Sequence, residues 1–168
     1  MNKKLLLRPR TPPQRIREAR VKDMEAMIGL LWALFTLEPD FTFDAEKQRQ
    51  GLLQLILQER GKAVFVAEAG MRLVGMGTVQ TVISTAEGGP VGWVEDVVVD
   101  PAYRGQGVGR RLLAAVEKWA QTQGLKRLQL LADRDNVGAG KFYTKQGWSP
   151  TRMVAMRKFL RPKAAEHE

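Results

Sequence analysis

The feature that most constrains this chain is a β-branched run that leads through a glycine-rich loop into an amphipathic helix. The run Trp93–Val99 has few polar interruptions, and apolar residues recur at helical spacing from about Gly109 to Gln123. Between them, Gly105 and Gly107 carry no β-carbon, so backbone N–H groups can approach a ligand, and the helix start adds the positive end of its dipole. This strand, loop and helix predict an anion site suited to a pyrophosphate.

Two other nucleotide-binding loops do not fit the same residues. A dinucleotide loop needs glycines spaced G-x-G-x-x-G and an acid about 20 residues later, whereas this loop has G-x-G-x-G and the later region is Gln123-Gly124-Leu125. A Walker loop needs Lys and then Ser or Thr after its last glycine, whereas Gly109 precedes Arg110-Arg111. If the loop binds a pyrophosphate, that group belongs to a cofactor other than a dinucleotide or a nucleoside triphosphate held by a Walker loop. The alternative is that the glycines form only a turn.

Composition narrows the chemistry further. The 168 residues are 44% hydrophobic, which is enough for one domain with a core. There is no cysteine, and His167 is the single histidine, so no disulfide framework, thiolate metal site or cysteine nucleophile is available, and we expect no metal ligands. The apolar run Leu5–Leu7 is too short for a signal peptide, and no stretch reaches the roughly 18 residues of a membrane span. We expect a cytoplasmic protein that does not engage a membrane.

The net charge of +9 suggests nucleic acid as a partner. More than half of that charge, however, lies in residues 1–15, which contain five basic residues and no acid. Pro12-Pro13 marks the end of this stretch, so we predict a flexible basic tail at 1–13, the folded domain at 14–162 and a polar tail at 163–168. No aromatic-interleaved basic stripe or helix-turn-helix pattern accompanies the tail, so nucleic acid is not the expected partner. A tail that binds RNA or an acidic partner stays the alternative, and a homodimer is compatible with the sequence.

Hydrophobic periodicity and turn residues predict one α/β domain. Gly70-Met71-Arg72 separates two runs that should pair as an antiparallel hairpin, and Thr85–Pro90 should break the chain before the central strand. The predicted strands are Gln14–Ala19, Ala63–Ala69, Leu73–Ser84, Trp93–Val99, Arg127–Leu131 and Met153–Leu160. The predicted helices are Lys22–Phe35, a helix capped by Asp44 that stops before Gly61, Gly109–Gln123, and a helix capped by Asn136 that ends near Gly147.

Two ordered motifs resemble the GNAT superfamily of N-acetyltransferases. Arg104-Gly105-Gln106-Gly107-Val108-Gly109 matches the family pattern R/Q-x-x-G-x-G/A, which binds the pyrophosphate of acetyl-CoA. The family's second segment, N-x-x-A-x-x-F/L-Y…G-F, is similar to Asn136, Ala139, Phe142, Tyr143 and Gly147-Trp148, with Trp in place of Phe. The resemblance covers about a third of the chain and implies an α/β fold of α+β type, with a mixed, mostly antiparallel sheet flanked by helices.

The resemblance also implies cofactor contacts. The main chain of the central strand would pair with pantetheine through Val97, Val98 and Val99, and the pyrophosphate would be held by Arg104, Gly105, Gln106, Gly107, Val108, Gly109 and Arg110. Asn136 would contact the pantetheine arm, and Phe142 and Tyr143 would flank its thiol end. Structural alternatives exist for each: the valines can be core residues, Asn136 can be only a helix cap, and Phe142 can merely pack.

Acetyl transfer to an amine needs a neutral nucleophile, a polarised carbonyl and a proton for the departing thiolate. Tyr143 is the expected acid, because a phenol still carries its proton at neutral pH; the alternative is a tyrosine that packs on the cofactor. Glu95 is the expected base, and Asp96, which strand alternation turns to the other side, competes for the role. Asp133 and Asp135 could bind a cationic substrate or simply favour a helix start.

The expected function is transfer of the acetyl group of acetyl-CoA to a primary amine of a small molecule or protein, by direct attack in a ternary complex. The alternative is a catalytically inactive acyl-CoA-binding regulatory module. Val94-Glu95-Asp96-Val97, followed by Arg104-Gly105-Gln106-Gly107, is similar to glucosamine-6-phosphate N-acetyltransferases, although the segment Asp133–Phe142 is longer than theirs. Aminoglycosides, polyamines, other small molecules and proteins all remain open as acceptors.

Overall fold

The structure is a computed structural model that describes residues 14–38, 40–57 and 60–160. The predicted tails, residues 1–13 and 163–168, lie outside the described residues. The chain separates into two units, one ending at Leu130 and the other beginning at Leu131. No helix among the described residues is long and apolar enough to cross a membrane.

A five-stranded sheet forms the centre of the first unit. Its strands lie in sequence order, and the pairs from the first to the fourth are antiparallel, whereas the fourth and fifth are parallel. The strands are β1 Gln14–Glu18, β2 Lys62–Ala69, β3 Arg72–Ser84, β4 Gly89–Val99 and β5 Leu128–Leu130. The expected mixed, mostly antiparallel sheet is confirmed.

Helices cover both faces of this sheet. After a short 3-10 turn at Val21–Asp23, α1 spans Met24–Phe35, α2 spans Ala45–Leu57 and α3 spans Val108–Thr122. The apolar faces of α1 and α2 pack with Val64, Val66, Met76 and Val98 from one side of the sheet. On the other side, α3 approaches so closely that a β-carbon on Gly75 would lie 3.1 Å from Leu112 Cδ1. The core is thus three layers thick.

Local signals place the helix ends as the sequence predicts. The carboxylate of Asp44 accepts hydrogen bonds from the amides of Glu46 and Lys47 at 3.1 and 3.2 Å, so it caps α2. Gly124 follows α3 with φ of +68°, a backbone region that L side chains rarely adopt, and this terminates the helix.

The fourth strand begins earlier than predicted. Gly89 and Pro90 read as part of a break, but they pair with Ser84 and Ile83 at the start of β4. The turn is confined to Thr85–Gly88, where Gly88 takes φ of +62°. Pro90 is the second residue of β4, and its carbonyl accepts a hydrogen bond from the amide of Lys126 at 3.0 Å.

The second unit contains α4, Val137–Lys145, and Gly147 follows it with φ of +85°. The predicted strand Met153–Leu160 is wrong: residues 153–160 form neither strand nor helix, and all are exposed. A strand needs a neighbour for its hydrogen bonds, and no described residue pairs with the backbone of this segment. Apolar composition alone therefore did not produce the element.

Candidate functional site

A β-bulge interrupts the pairing of β3 with β4. Met76 lies opposite Val98 and Thr78 lies opposite Glu95, so two residues of β4, Asp96 and Val97, face only one residue of β3. Asp96 has φ of +53°, and it is the single non-glycine residue with positive φ among those described. Such a conformation in a non-glycine residue stores strain and is concentrated at functional sites.

The bulge changes where the two acids point. Strand alternation predicts that Glu95 and Asp96 lie on opposite faces of the sheet, and that expectation is wrong. Both residues line one cleft, because the extra residue of the bulge breaks the two-residue period of the strand. Glu95 is exposed and Asp96 is half-buried.

The cleft has a volume of about 320 Å³ and lies between the sheet and the α1–α2 layer. Burial raises the pKa of Asp96 to about 7, and the negative charges of Glu95 and then Glu38 add to the effect. The cleft is lined by Leu31, Phe35, Lys47, Gln48, Gly51, Leu52, Gln54, Leu55, Lys62, Gln80, Glu95 and Asp96. Its walls thus combine apolar side chains with polar groups of both charge signs.

Beyond the bulge, no strand of the described residues lies beside one edge of β4. β5 pairs with Gly92–Val94 and ends there, whereas Val98 and Val99 are paired through their other edge to Met76 and Gly75. Val98 is buried, while Val97 and Val99 are half-buried. No described strand pairs with the second edge of Glu95–Val99, so this edge can accept an extended ligand.

The glycine loop continues directly from this free edge. Gly105 and Gly107 have φ of +73° and +76°, and Gly107 precedes the first residue of α3, the buried Val108. No side chain caps the first turn of α3. Its amides, including that of Gly109, therefore remain available to an anion, and the helix dipole favours one there.

Two arginines and a glutamine of the predicted site belong to this loop and the helix start. Arg104 Nε donates to the carbonyl of Val99 at 3.1 Å, and Gln106 Nε2 donates to the carbonyl of Ala102 at 3.0 Å. Arg110 is exposed at the helix start. Together these groups brace the loop and give it positive charge.

Sequence reasoning missed Arg111 as a loop residue. Its Nη1 donates to the carbonyl of Gln106 at 3.3 Å and its Nη2 donates to Gln14 Oε1, so it ties the loop to β1. Arg111 Nε is buried and has no hydrogen-bond partner among the described residues. The doublet Arg110-Arg111 was the available signal, but only the fold shows that the second arginine turns back under the loop.

The remaining predicted site residues lie in the second unit. Asn136 Oδ1 accepts a hydrogen bond from the amide of Ala139 at 3.0 Å, so Asn136 has the helix-capping role that the sequence allowed. The ring of Tyr143 packs against Phe142 and Trp148, with centroids 5.2 and 6.0 Å apart. Asp133 Oδ1 accepts from the amide of Asp135 at 2.9 Å, which orders the turn before α4.

The structure thus brings Glu95, Asp96, the valines and the loop together in the first unit. Asn136, Phe142 and Tyr143 form their own group in the second. Within the described ranges, no cluster of His, Cys, Asp and Glu could hold a metal ion.

Comparison with known proteins gives a consistent result. The sequence model of the acetyltransferase (GNAT) family matches residues 24–148. The chain is 30% identical over 153 residues to aminoglycoside N(6')-acetyltransferase type 1 of Stenotrophomonas maltophilia, covering 89% of this chain and 95% of that protein. It is 38% identical over 136 residues to mycothiol acetyltransferase of Thermobispora bispora, covering 76% of this chain and 43% of that protein.

Solved structures share the fold. Aminoglycoside N-acetyltransferase AAC(6')-Iy in complex with CoA superposes with a TM-score of 0.74 at 24% identity, covering 94% of this chain and all of that one. Glucosamine-6-phosphate N-acetyltransferase from Arabidopsis thaliana superposes with a TM-score of 0.70 at 22% identity, covering 89% and 99%. At these identities the likeness concerns the fold.

Proposed function

The chain belongs to the acetyltransferase (GNAT) family and is an N-acetyltransferase with acetyl-CoA as cosubstrate; on that premise we propose that its acceptor is a primary amine of a small polar molecule bound in the cleft. The observation that carries the proposal is the continuity of three features: the cleft with Glu95 and Asp96, the free edge of β4 and the uncapped start of α3. A volume of about 320 Å³ suits a small molecule.

The residues fit the cosubstrate. The amides of the loop from Arg104 to Arg110 and of the first turn of α3 would hold its pyrophosphate. The backbone of Val97–Val99, which pairs with β3 on one edge only, would bind its extended arm as an added strand. Asn136 would contact that arm, and Phe142 would pack beside its thiol end. Bound there, acetyl-CoA supplies an activated thioester next to the cleft.

We assign the proton transfers to two side chains. The amine attacks as the neutral species, an N–C bond forms and the C–S bond breaks. Glu95, exposed at the cleft, accepts the proton that the nitrogen loses, directly or through a water molecule. Tyr143 donates its phenolic proton to the departing thiolate and regains one from solvent. Neighbouring rings hold the Tyr143 ring, which supports a fixed position for its hydroxyl group.

The test is a panel of primary amines incubated with acetyl-CoA, monitored by free thiol release and by mass spectrometry of the products. We expect thiol release that depends on both the amine and the enzyme, together with a mass gain of one acetyl group on the amine. Binding of acetyl-CoA without turnover of any amine would instead support the regulatory module, for which the comparisons offer no support.

We also propose that the enzyme works in the cytoplasm, because its cosubstrate carries several phosphate charges and does not cross a membrane unaided. Fractionation of the producing cells tests this, and recovery of the protein outside the cytoplasmic fraction would contradict it.

A further inference from the structure

The charged groups of the cleft separate into two ends. Glu95 and Asp96 lie at the β4 end, where α1 packs on β3 and β4. Lys47 and Lys62 lie at the other end, where α2 packs on β2. One end of the cavity is therefore acidic and borders the free edge of β4, and the other end is basic.

The register of the sheet gives the distance between the ends. Lys62 lies opposite Gln80, which in turn lies opposite Trp93, so Lys62 is two strands from β4. Two strand spacings amount to roughly 10 Å between backbones, and Glu95 lies two residues further along β4. Since the side chains of both ends reach into the cavity, a molecule the size of a small sugar or an amino acid spans the gap.

We propose that the acceptor carries an anionic group, a phosphate or a carboxylate, that binds at Lys47 and Lys62 while its amine lies at Glu95 and Asp96. The proposal rests on the proposed function and specifies its substrate class. Lysine binds such oxyanions as a point charge. Lys47 is 3.5 Å from Asp44, but both groups are well exposed, so this ion pair is weak and a ligand can compete for the lysine.

The same charges act on a polycation in opposite directions at the two ends of the cleft. Two acids and two lysines line the cleft, while Glu38 acts on Asp96 and Asp44 pairs with Lys47; burial keeps Asp96 partly protonated near neutral pH. A polycationic amino sugar would gain from the acidic end and be repelled at the basic end.

Gly51 keeps the basic end open. It lies one turn after Lys47 in the middle of α2, where glycine is about 0.5–1 kcal/mol less favourable than alanine. A β-carbon at this position would meet no atom within 4 Å, so packing does not require the glycine. The absence of a side chain instead leaves room in the cavity for an acceptor.

The experiment compares pairs of amines that differ at the anionic group. Glucosamine 6-phosphate is paired with glucosamine for phosphate, 6-aminohexanoate with its amide for carboxylate, and kanamycin A represents polycations. Their binding to the full chain saturated with CoA is measured by calorimetry, so the pyrophosphate loop is already occupied. Their kcat/KM with acetyl-CoA is measured by thiol release.

We expect the anionic member of at least one pair to bind 10-fold tighter or more, and Lys47→Gln and Lys62→Gln each to remove most of that preference. Lys118→Gln is the matched control, because Lys118 is exposed on α3 away from the cleft lining, and it should retain the preference. The pair that shows the preference identifies phosphate or carboxylate.

Equal or absent binding within both pairs, tighter binding of kanamycin A, or a preference that persists in both cleft lysine variants would overturn the proposal. If an amine without an anionic group releases thiol efficiently, acetyl transfer stands and only the substrate class fails. If no amine in either panel releases thiol, the proposed function itself fails.

Discussion

Glu95 and Asp96 are consecutive residues of β4, and both line the same cleft. The bulge that produces this arrangement forces two carboxyl groups into one small space, where both cannot ionise without mutual repulsion. Burial raises the pKa of Asp96 to about 7, and the neighbouring negative charge of Glu95 adds to this effect. Glu95, in contrast, is exposed at the cleft.

Asp96 should make stability depend on pH. Its pKa is 3.8 as an ordinary aspartate and about 7 in the fold, so between about pH 4 and 7 the native state binds more protons than the unfolded state. The free energy of unfolding should therefore fall as pH rises through that window, by at most about 1.4 kcal/mol per pH unit. Urea denaturation at pH 4.5–7.5 measures this.

Asp96→Asn should lack the decline, because an amide does not titrate. Glu95→Gln should keep it but complete it at lower pH, since loss of the Glu95 charge lowers the pKa of Asp96. Identical pH profiles for wild type and Asp96→Asn would show that Asp96 is not held protonated by its surroundings.

Gly107→Val should abolish the thermal stabilisation that acetyl-CoA confers. The φ of +76° disfavours any β-carbon, and that carbon would lie 3.3 Å from Arg111 Nη1, in the loop that we propose holds the pyrophosphate. Gly124→Val is the matched control, with φ of +68° and no atom near the added carbon. Both variants should lose about 1–2 kcal/mol of stability from the left-handed backbone, but only Gly107→Val should lose cofactor binding.

A full thermal shift with acetyl-CoA in Gly107→Val would remove the loop from the cofactor site. A lost shift in Gly124→Val as well would point to general destabilisation.

Tyr143→Phe should lower kcat by roughly 10²-fold or more and leave acetyl-CoA affinity nearly unchanged. The ring contacts with Phe142 and Trp148 survive in this variant, and only the proton donor is lost. Tyr143→Ala should in addition weaken cofactor binding, because it opens a void between those rings. Pre-steady-state measurement of the transfer step avoids masking by slow product release. A transfer rate equal to wild type in Tyr143→Phe excludes Tyr143 as the acid.

Gly51→Leu should raise the KM for the acceptor by roughly 10-fold while acetyl-CoA affinity stays constant, because the side chain enters the open end of the cleft. Gly51→Ala is the control. It should raise the free energy of unfolding by about 0.5–1 kcal/mol and change KM little. Steady-state kinetics and urea denaturation of both variants measure the effects, and an unchanged KM in Gly51→Leu would mean that the acceptor binds elsewhere.

The sequence was sufficient for elements whose signals are local. Asp44 caps α2, Gly124 ends α3 and Gly105 with Gly107 shape the loop, since each effect depends on one residue's own backbone or side chain. The loop motif also carried the family resemblance, and the family match confirmed it.

Features that depend on distant partners could not be read from the sequence. Strict alternation of side chains along β4 predicts the wrong face for Asp96. A bulge arises from the register between two strands, and neither strand's own sequence shows it. The apolar composition of Met153–Leu160 predicts a strand, but composition does not specify the neighbouring strand that its backbone hydrogen bonds require. Arg111 was overlooked because its contact with Gln14 joins residues far apart in the chain.

The free edge of β4 beyond Val94 has a consequence for the protein without its cosubstrate. Unpaired backbone groups on a strand edge can form hydrogen bonds with another extended chain. Without cosubstrate, two copies of the protein should therefore be able to associate through this edge. In the proposed site the arm of acetyl-CoA would pair with that edge as an added strand and cover it. The cosubstrate should therefore slow amide hydrogen exchange at Val97–Val99 and suppress self-association at high protein concentration, so that loading with substrate also protects the fold.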